Sequence, residues 1–359
     1  MLVLGRMTDY GFRLRPIVPA DGPAFATLLA QSADAGRFQV SSRFQIPPWD
    51  ALRALHGDFE GVVAESDGFE GLAGAGLIRF GRCQYEGELR PYAFLNSLVV
   101  HPVMRRRGLA AQIADARVER AHERVGEGGV IYAGIQRGNT GSVKTAARWS
   151  TQTLRDCLTV FPMPAASRAP RSSAYQERAL ELSDGEGLAS FVEGVNTFHA
   201  EFNFYAPETA EGLRAWCEET PLESQFRHLR VAVTHAGEMV AGLAVIEGGR
   251  IRTTRMVRMP VVPWLLNHLI RIVPKDGLMR EIGASRVWFR PGHEDAVRHL
   301  WRAVRNEWRD RGSAFMIWTS PRSPLQKVLE PPPWMPRSSG SFVVRAPVPA
   351  SENRPIYSS

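Results

Sequence analysis

The sequence predicts an α/β (α+β) fold in which helices flank β-sheets and the same arrangement occurs twice along the chain. Three observations lead to this prediction. Strand patterns alternate with helix patterns, one strand, turn and helix follow each other at 98–125, and segments of the first half recur in the second. The chain has 359 residues, which is more than a single core usually holds, so two domains are expected.

Composition and charge are those of an ordinary globular protein, with 44% hydrophobic and 23% charged residues. The net charge of +7 suits acidic ligands. A clustered basic helix and an RNA-binding aromatic motif are both missing, so we expect no nucleic-acid partner. The three cysteines, Cys83, Cys157 and Cys217, are far apart and form no C-x-x-C pair. We therefore expect neither a disulfide framework nor a metal site.

The terminal and apolar segments favour a cytoplasmic protein without a membrane partner. The most apolar run, 261–273, contains Pro263, His268 and Arg271 and is too short to span a bilayer. The segment 1–7 is too short for a signal-peptide core, and translation could equally begin at Met7. The oligomeric state is not defined by these patterns.

The elements of the first half are predicted from periodicity and turn residues. In order they are strands at 12–16, a helix through 25–29, strands at 59–65, 72–80 and 92–100, a helix at 110–125, a strand at 130–135, a short helix within 139–149 and a strand at 154–160. Asp21 is the expected N-cap of the first helix. A loop with Pro47 and Pro48 is expected after that helix. Gly74 and Gly76 continue into a strand, which indicates close packing and not a nucleotide loop.

The stretch at 98–110 carries the functional prediction. Three apolar residues end at His101-Pro102, an arginine-rich turn with Gly108 follows, and a helix begins. Free backbone amides and the macrodipole make a helix start suitable for phosphate oxygens, and Gly108 allows close approach. Arg105, Arg106 and Arg107 add positive charge. The dinucleotide pattern G-x-G-x-x-G and the Walker lysine loop are both absent from the stretch.

The order Val-x-Pro, two residues, then Arg-x-x-Gly-x-Ala resembles the acyl-CoA pyrophosphate motif of the GNAT superfamily of acyl-CoA-dependent N-acyltransferases. Asn-x-x-Ser at 139–142 resembles the second motif of that family. The resemblance implies tandem GNAT folds, each with a mixed, largely antiparallel sheet flanked by helices, in which the fourth and fifth strands splay apart around the pantetheine arm. The implied acyl-CoA-binding residues are Leu98, Val99, Val100, Arg105, Arg106, Arg107, Gly108, Leu109, Ala110, Asn139 and Ser142.

The resemblance implies acetyl transfer from acetyl-CoA, without a metal, by direct attack of a primary amine in a ternary complex. The acceptor would be a small-molecule or peptide amine. Many family members carry a tyrosine after the asparagine, but here the matching position is Ala146 or its neighbour Thr145, which cannot act as an acid. A non-catalytic acyl-CoA-binding or regulatory module is therefore the alternative. The candidate catalytic residues are Asn96 and Ser97, which could position a water, Tyr132 on the fifth strand, and Glu86 if its hairpin covers the cleft.

The second half echoes the first. Residues 183–189 resemble 20–26 at an offset of 163, and 287–291 resemble 98–102 at an offset of 189, so extra residues are expected at 250–280. Glu294 and Asp295 stand where phosphate would bind and would repel it, which predicts a degenerate copy without CoA binding. The expected domains are 1–165, 166–349 and a tail at 350–359, with a linker at 162–173.

Overall fold

The structure of the chain is a computed structural model that describes residues 11–32, 39–166, 168–170, 174–270, 272–329, 335 and 337–358. The strands of the first half are β1 (Phe12–Pro16), β2 (Gln39–Phe44), β3 (Phe59–Ser66), β4 (Gly74–Tyr85), β5 (Glu88–Val100), β6 (Val130–Gln136) and β7 (Gln152–Met163). Its helices are α1 (Gly22–Gln31), α2 (Pro48–His56), α3 (Leu109–Val125) and α4 (Thr140–Ala146).

The second half contains the remaining described elements. Its strands are β8 (Tyr175–Ala179), β9 (Arg227–Thr234), β10 (Met239–Ile246), β11 (Arg252–Arg258), β12 (Leu278–Met279), β13 (Glu281–Phe289), β14 (Ala314–Thr319) and β15 (Ser338–Arg345). Its helices are α5 (Gly185–His199), α6 (Ala210–Glu218), α7 (Val261–Ile270), α8 (Glu294–Glu307) and α9 (Pro324–Val328). Among the helices of the described residues, none is long and apolar enough to cross a membrane.

One 12-stranded sheet joins both halves, in the order β1-β3-β4-β5-β6-β15-β7-β14-β13-β10-β9-β8. The pairs β5–β6 and β13–β14 are parallel, and the other neighbouring pairs are antiparallel. In each parallel pair the two strands are connected along the chain by a long helix, α3 between β5 and β6 and α8 between β13 and β14. Such a crossover is what a parallel pair requires. The predicted fold class, a mixed and largely antiparallel sheet flanked by helices, is confirmed.

The two halves exchange strands at the centre of the sheet. β15 lies between β6 and β7, and β7 pairs on its other edge with β14. Residues 338–345 therefore complete the sheet of the first half although they come late in the chain. The segment after β15 also packs inward, since Ile356 is only 2% exposed. The domain boundary at residue 165 remains a prediction. At β6, β7, β14 and β15, strands from before and after this boundary belong to the same sheet.

A smaller sheet and a helix occupy the region where a loop was expected. β2 pairs with β11, and β11 pairs with β12, so residues of the predicted insertion at 250–280 cover the first half. α2 begins directly at Pro48, because proline is well suited to the first turn of a helix. It buries Ala51, Leu52 and Ala54. The loop prediction was wrong here because the paired prolines mark a helix start.

Asp21 precedes α1 as predicted, but its carboxylate does not cap the helix. Its oxygens accept hydrogen bonds from Arg15 at 2.7 Å and from the Val18 amide at 2.8 Å. This ion pair fixes the end of β1 against the start of α1. The Arg15 guanidinium and the Val18 amide hold the pKa of the Asp21 carboxyl below its usual range against the opposing effect of burial.

Candidate functional site

The parallel strands β5 and β6 separate and open a cleft. They pair only over Tyr92–Phe94 and Val130–Tyr132, whereas β5 continues to Val100 and β6 to Gln136. The splay that the family resemblance implied is therefore present. The opening forms a cavity of about 360 Å³, here called the cleft. Among the residues that line it are Leu95, Asn96, Ser97, Leu98, Val99, Ala114, Arg117, Ala133, Gln136, Asn139, Ser142, Trp149 and Arg252.

A β-bulge lies in β5 at the edge of the cleft. Ala75 pairs with Val99 and Leu77 pairs with Asn96, so Ser97 and Leu98 together oppose one residue, Gly76. Ser97 has a φ of 49°, a left-handed conformation that is uncommon for a residue with a side chain. The bulge interrupts the ladder and turns the backbone of β5 at the place where it separates from β6.

The guanidinium of Arg117 on α3 holds the bulge. Its Nη1 donates to the carbonyl oxygens of Asn96, at 2.8 Å, and Leu77, at 3.2 Å, so one side chain bonds to both strands. Arg117 is 3% exposed and has no ion pair within the described part of the chain. Burial lowers its pKa to about 10, so it stays protonated at neutral pH. A buried positive charge therefore lies beside the cleft.

Two polar atoms beside the cleft lack a partner among the described residues. They are Nδ2 and Oδ1 of Asn96, which lines the cleft. Buried polar groups are rarely left without hydrogen bonds, so such atoms indicate a place for a polar ligand. The amides of a pantetheine arm supply both donors and acceptors. The residues present thus fit the acyl-CoA that the resemblance implies.

The arginine-rich turn forms the start of α3. Gly108 is its N-cap, with a φ of 78°. The nearest atom to a β-carbon placed there, outside the adjoining residues, is Gln112 Nε2 at 4.0 Å. The Ala111 and Gln112 amides bond to the Gly108 carbonyl, so the amides of the first turn before them remain for an anion. The predicted residues Arg105, Arg106 and Arg107 are all exposed beside this turn.

Leu109 and Arg105 differ from the expectation in detail. The Leu109 side chain is 1% exposed and packs in the core, so only its backbone amide can serve a phosphate. The Arg105 Nε donates to the Val100 carbonyl at 3.2 Å, which holds the turn against the end of β5. Ala110 follows in the first turn of α3, where its small side chain is half-buried.

The second predicted motif also reaches the cleft. Asn139 is the N-cap of α4, and its Oδ1 accepts from the Ser142 amide at 3.1 Å. Both residues line the cleft, as do Leu98 and Val99. Asn139 and Ser142 therefore form the N-terminal cap of α4. This cap lies at the edge of the cleft.

The structure corrects the expectations for Tyr132 and Glu86, which do not line the cleft. Tyr132 lies in the paired part of β6 and stacks on Phe204 with ring centroids 4.2 Å apart. Burial raises its pKa well above the usual value. Glu86 accepts hydrogen bonds from Asn203 Nδ2 at 2.6 Å and the Ser351 amide at 2.9 Å. The hairpin that carries it is held by the second half and the C-terminal segment, and Glu86 is not among the residues that line the cleft.

The described lining of the cleft holds serine and threonine hydroxyl groups but no side chain that could activate them as covalent nucleophiles. Asp, Glu, His, Cys, Lys and Tyr are all missing from that lining. The three cysteines are buried elsewhere, and burial raises the pKa of Cys83 to about 12 and of Cys157 and Cys217 to about 11. Chemistry in the cleft therefore depends on positioning, on backbone groups and on the Arg117 charge.

The second half has the same bulge between β10 and β13, but larger side chains occupy the space around it. Arg286, with a φ of 52°, occupies the place of Ser97, and Leu243 stands where the first half has Gly76. The Arg286 Nε pairs with Glu208 at 2.7 Å. Leu243 is completely buried in the core of the second half. Two carboxylates, those of Glu294 and Asp295, lie in the first turn of α8.

Comparisons with known proteins agree with this geometry. Residues 32–149 match the family model described as Acetyltransferase (GNAT) family. The structure is similar to a GCN5-related N-acetyltransferase from Sphaerobacter thermophilus, with 16% identity and a TM-score of 0.59 over 96% of this chain and 98% of that one. It is also similar to an N-myristoyltransferase from Saccharomyces cerevisiae with bound myristoyl-CoA, with 12% identity and a TM-score of 0.60 over 96% of this chain and 84% of that one.

A third similar structure is a tandem GNAT protein from the clavulanic acid biosynthesis pathway, with 13% identity and a TM-score of 0.57 over 95% of this chain and 100% of that one. A search of curated protein sequences finds no match. The similarity to the solved structures extends over both halves, and the family match covers the half that holds the cleft. Residues 32–149 therefore match the GNAT family, and the chain has, over both halves, the fold of the tandem GNAT protein.

Proposed function

We propose that the protein is an N-acetyltransferase that moves an acetyl group from acetyl-CoA to a primary amine, once per chain, in the cleft of the first half. The GNAT fold supports acyl transfer from acyl-CoA. The observation that carries the proposal is the bulge at Ser97 between splayed strands, beside the Gly108 turn. The filled bulge region and the carboxylates of the second half favour a single donor site.

The residues of the cleft would act mainly by orientation. The amine nitrogen attacks the thioester carbonyl carbon, a C–N bond forms and the C–S bond breaks. CoA leaves as the thiolate, the amine nitrogen loses its proton to water, and the thiolate takes up a proton from water to give the CoA thiol. Backbone groups at the bulge and the Arg117 charge stabilise the developing oxyanion. Asn96 and Ser97 hold the water that carries the proton away. A thiolate leaves readily, because the pKa of a free thiol is only about 8.5.

One observation favours the alternative of a non-catalytic acyl-CoA-binding or regulatory module. Within the described residues, the cleft has no side chain that could serve as a general acid or base. Such a group contributes typically about 100- to 10,000-fold to the rate. The proposal therefore expects slow transfer that relies on positioning and on backbone donors.

Thiol release tests the two functions. Acetyl-CoA is incubated with the protein and a panel of primary amines, and free CoA thiol and acetylated amine are both measured. The proposal expects both products with at least one amine and neither with the Gly108→Asp variant, which places bulk and negative charge where phosphate should bind. Binding of acetyl-CoA without release above background for every amine would support the binding module instead.

A further inference from the structure

A second cavity of about 520 Å³, here called the chamber, adjoins the cleft. The two cavities share part of their wall, and the shared residues are Val40, Ser42, Gly134, Ile135, Gln136 and Arg252. The chamber lies between β6, β7, β14 and β15 on one side and β2 and β11 on the other, so both halves form it. Its volume is within the range of small-molecule sites in proteins.

The wall of the chamber is mainly apolar. Four methionines, a tryptophan and two phenylalanines contribute to it: Met256, Met259, Met279, Met316, Trp318, Phe94 and Phe342. Methionine side chains adapt to irregular apolar shapes. The chamber does not include Ala114 or Arg117, the residues through which the cleft reaches α3. The chamber therefore extends from the cleft toward the small sheet and away from the turn that would hold the phosphates.

Arg252 stands at the junction of the two cavities. It lines both the cleft and the chamber, and its half-buried guanidinium has neither an ion pair nor a hydrogen bond within the described part of the chain. Thr254 and Met256 on the same strand also line the chamber, whereas Arg255 between them is exposed. An arginine held at such a junction is suited to a carboxylate, which it can bind through two parallel hydrogen bonds.

The charge at the junction of the two cavities favours an acceptor that carries an anionic group. The Arg252 guanidinium lines both cavities, and no carboxylate of the described residues pairs with it. A simple cationic amine would meet this positive charge at the end where it must react. An amine with a neighbouring carboxylate would place that carboxylate at Arg252 and its nitrogen in the cleft.

We infer that the chamber is the acceptor site and that the acceptor is an α-amino acid with an apolar side chain. The side chain occupies the methionine-lined chamber, the carboxylate binds Arg252, and the amine faces the bulge at Ser97. This inference rests on the proposed function for the transfer step. The binding of the amino acid is a separate property and can be measured without transfer.

The experiment compares three amines at saturating acetyl-CoA: phenylalanine, phenethylamine, which lacks the carboxylate, and alanine, which lacks the apolar body. We expect kcat/KM for phenylalanine to exceed that for phenethylamine by on the order of 10- to 100-fold, as for a hydrogen bond to a charged group. A similar excess over alanine is expected from burial of the ring. Equal values for all three amines would overturn the inference.

Two variants test which residues determine the preference for the acceptor. Arg252→Gln should remove most of the preference for phenylalanine over phenethylamine and leave the KM for acetyl-CoA unchanged. The matched control is Arg255→Gln, because this arginine is exposed on the same strand. Met316→Trp, which narrows the chamber, should reduce the preference for phenylalanine over alanine. An equal rise in the acetyl-CoA KM with every amine in Arg252→Gln would assign that arginine to the donor and contradict the inference.

Two further results separate the inference from the proposed function. If octanoyl-CoA is a better donor than acetyl-CoA and Met316→Trp abolishes that advantage, the chamber holds the acyl chain and the inference fails while acyl transfer stands. If no amine is acetylated, calorimetric titration of phenylalanine in the presence of CoA decides. If wild type binds phenylalanine and Arg252→Gln does not, the acceptor site is supported and the proposed transfer is refuted. If wild type does not bind phenylalanine, both the acceptor site and the proposed transfer are refuted.

Discussion

Gly76 and Arg117 are fitted to each other: a β-carbon at position 76 would lie 2.7 Å from Nε of the Arg117 guanidinium. Because Gly76 has no side chain, the Arg117 guanidinium can lie against β4 and donate hydrogen bonds to the carbonyls of Leu77 and Asn96. The bulge, the buried charge and the glycine therefore form one arrangement. A change in any of them should affect the cleft.

Gly76→Ala should lower both stability and acetyl transfer, because the added methyl group displaces Arg117 from the bulge. Overpacking of this kind costs typically about 1–3 kcal/mol. Chemical denaturation and thiol release would measure the two effects. Gly128→Ala is a matched control, since a β-carbon there meets nothing within 4 Å. Equal stability and equal thiol release in the Gly76→Ala and Gly128→Ala variants would contradict the close contact between Gly76 and Arg117.

Arg117→Lys should lower kcat and leave the KM for acetyl-CoA nearly unchanged. The lysine keeps a charge but cannot bond to both carbonyls in the same geometry, so the bulge loses its support. Arg117→Met removes the charge as well and should reduce kcat further, by up to about 100-fold, as for one lost oxyanion donor. Arg120→Lys changes a surface arginine that pairs with Glu60 and provides the control. If the acetyl-CoA KM rises while kcat is retained, Arg117 supports donor binding and not the bulge.

Gly108→Asp should abolish acetyl-CoA binding, whereas Gly292→Asp should leave it intact. Both glycines have a positive φ, 78° and 82°, and both precede a long helix. Only the first turn combines an open approach with arginines, because the second begins with Glu294 and Asp295. Calorimetric titration of acetyl-CoA should give one site per chain for wild type and for Gly292→Asp. Two equivalent sites in the wild type would show that the second copy still binds the donor.

His199 should make the protein less stable in acid. Burial lowers its pKa to about 3, whereas an exposed imidazole has a pKa of about 6.5. Below pH 6.5 the unfolded chain binds a proton that the folded chain excludes, so the free energy of unfolding falls by up to about 1.4 kcal/mol per pH unit until pH 3. Denaturation at several pH values should show a flatter profile for His199→Phe. His235→Phe, at an exposed position, should keep the wild-type slope.

The fragment 1–165 should not fold well alone, because it lacks β15. Without that strand, β6 and β7 both present open edges, which promote aggregation. Co-expression with 166–359 should restore a soluble complex that binds acetyl-CoA. Size-exclusion chromatography and calorimetry would follow this. A soluble, monomeric and fully active 1–165 fragment would show that the exchanged strand is dispensable.

Local patterns in the sequence predicted much of the first half. The apolar run at 98–100, the proline step and the periodic helix predicted the end of β5, the turn and α3 to within one residue, whereas β5 begins at Glu88, four residues before the predicted start at 92. The repeated segments at 183–189 and 287–291 coincide with the start of α5 and the end of β13. Arg117 was missed, although it lies one residue before Val118 on the stripe of α3 that includes Ala114 and Ala121. An arginine within an apolar stripe is the signal that could have identified it.

The remaining features depend on contacts between distant parts of the chain. The position of β15 between β6 and β7 is decided by edges that lie some two hundred residues away, and no local pattern specifies such a pairing. The same is true of β2 and β11. Tyr132 was expected in the cleft because its strand borders it. Phe204, which stacks on it, comes from the second half and could not be foreseen.

The strand exchange also sets the order in which the protein can mature. About 175 residues separate the end of β7 from the start of β15, which corresponds to roughly 9 to 35 s of synthesis at about 5–20 residues per second. During that time the nascent first half waits on the ribosome with an incomplete sheet beside its cleft. An interrupted translation product would therefore lack the strand that joins β6 to β7, and among the described strands the last one to be made is the one that completes the sheet of the first half.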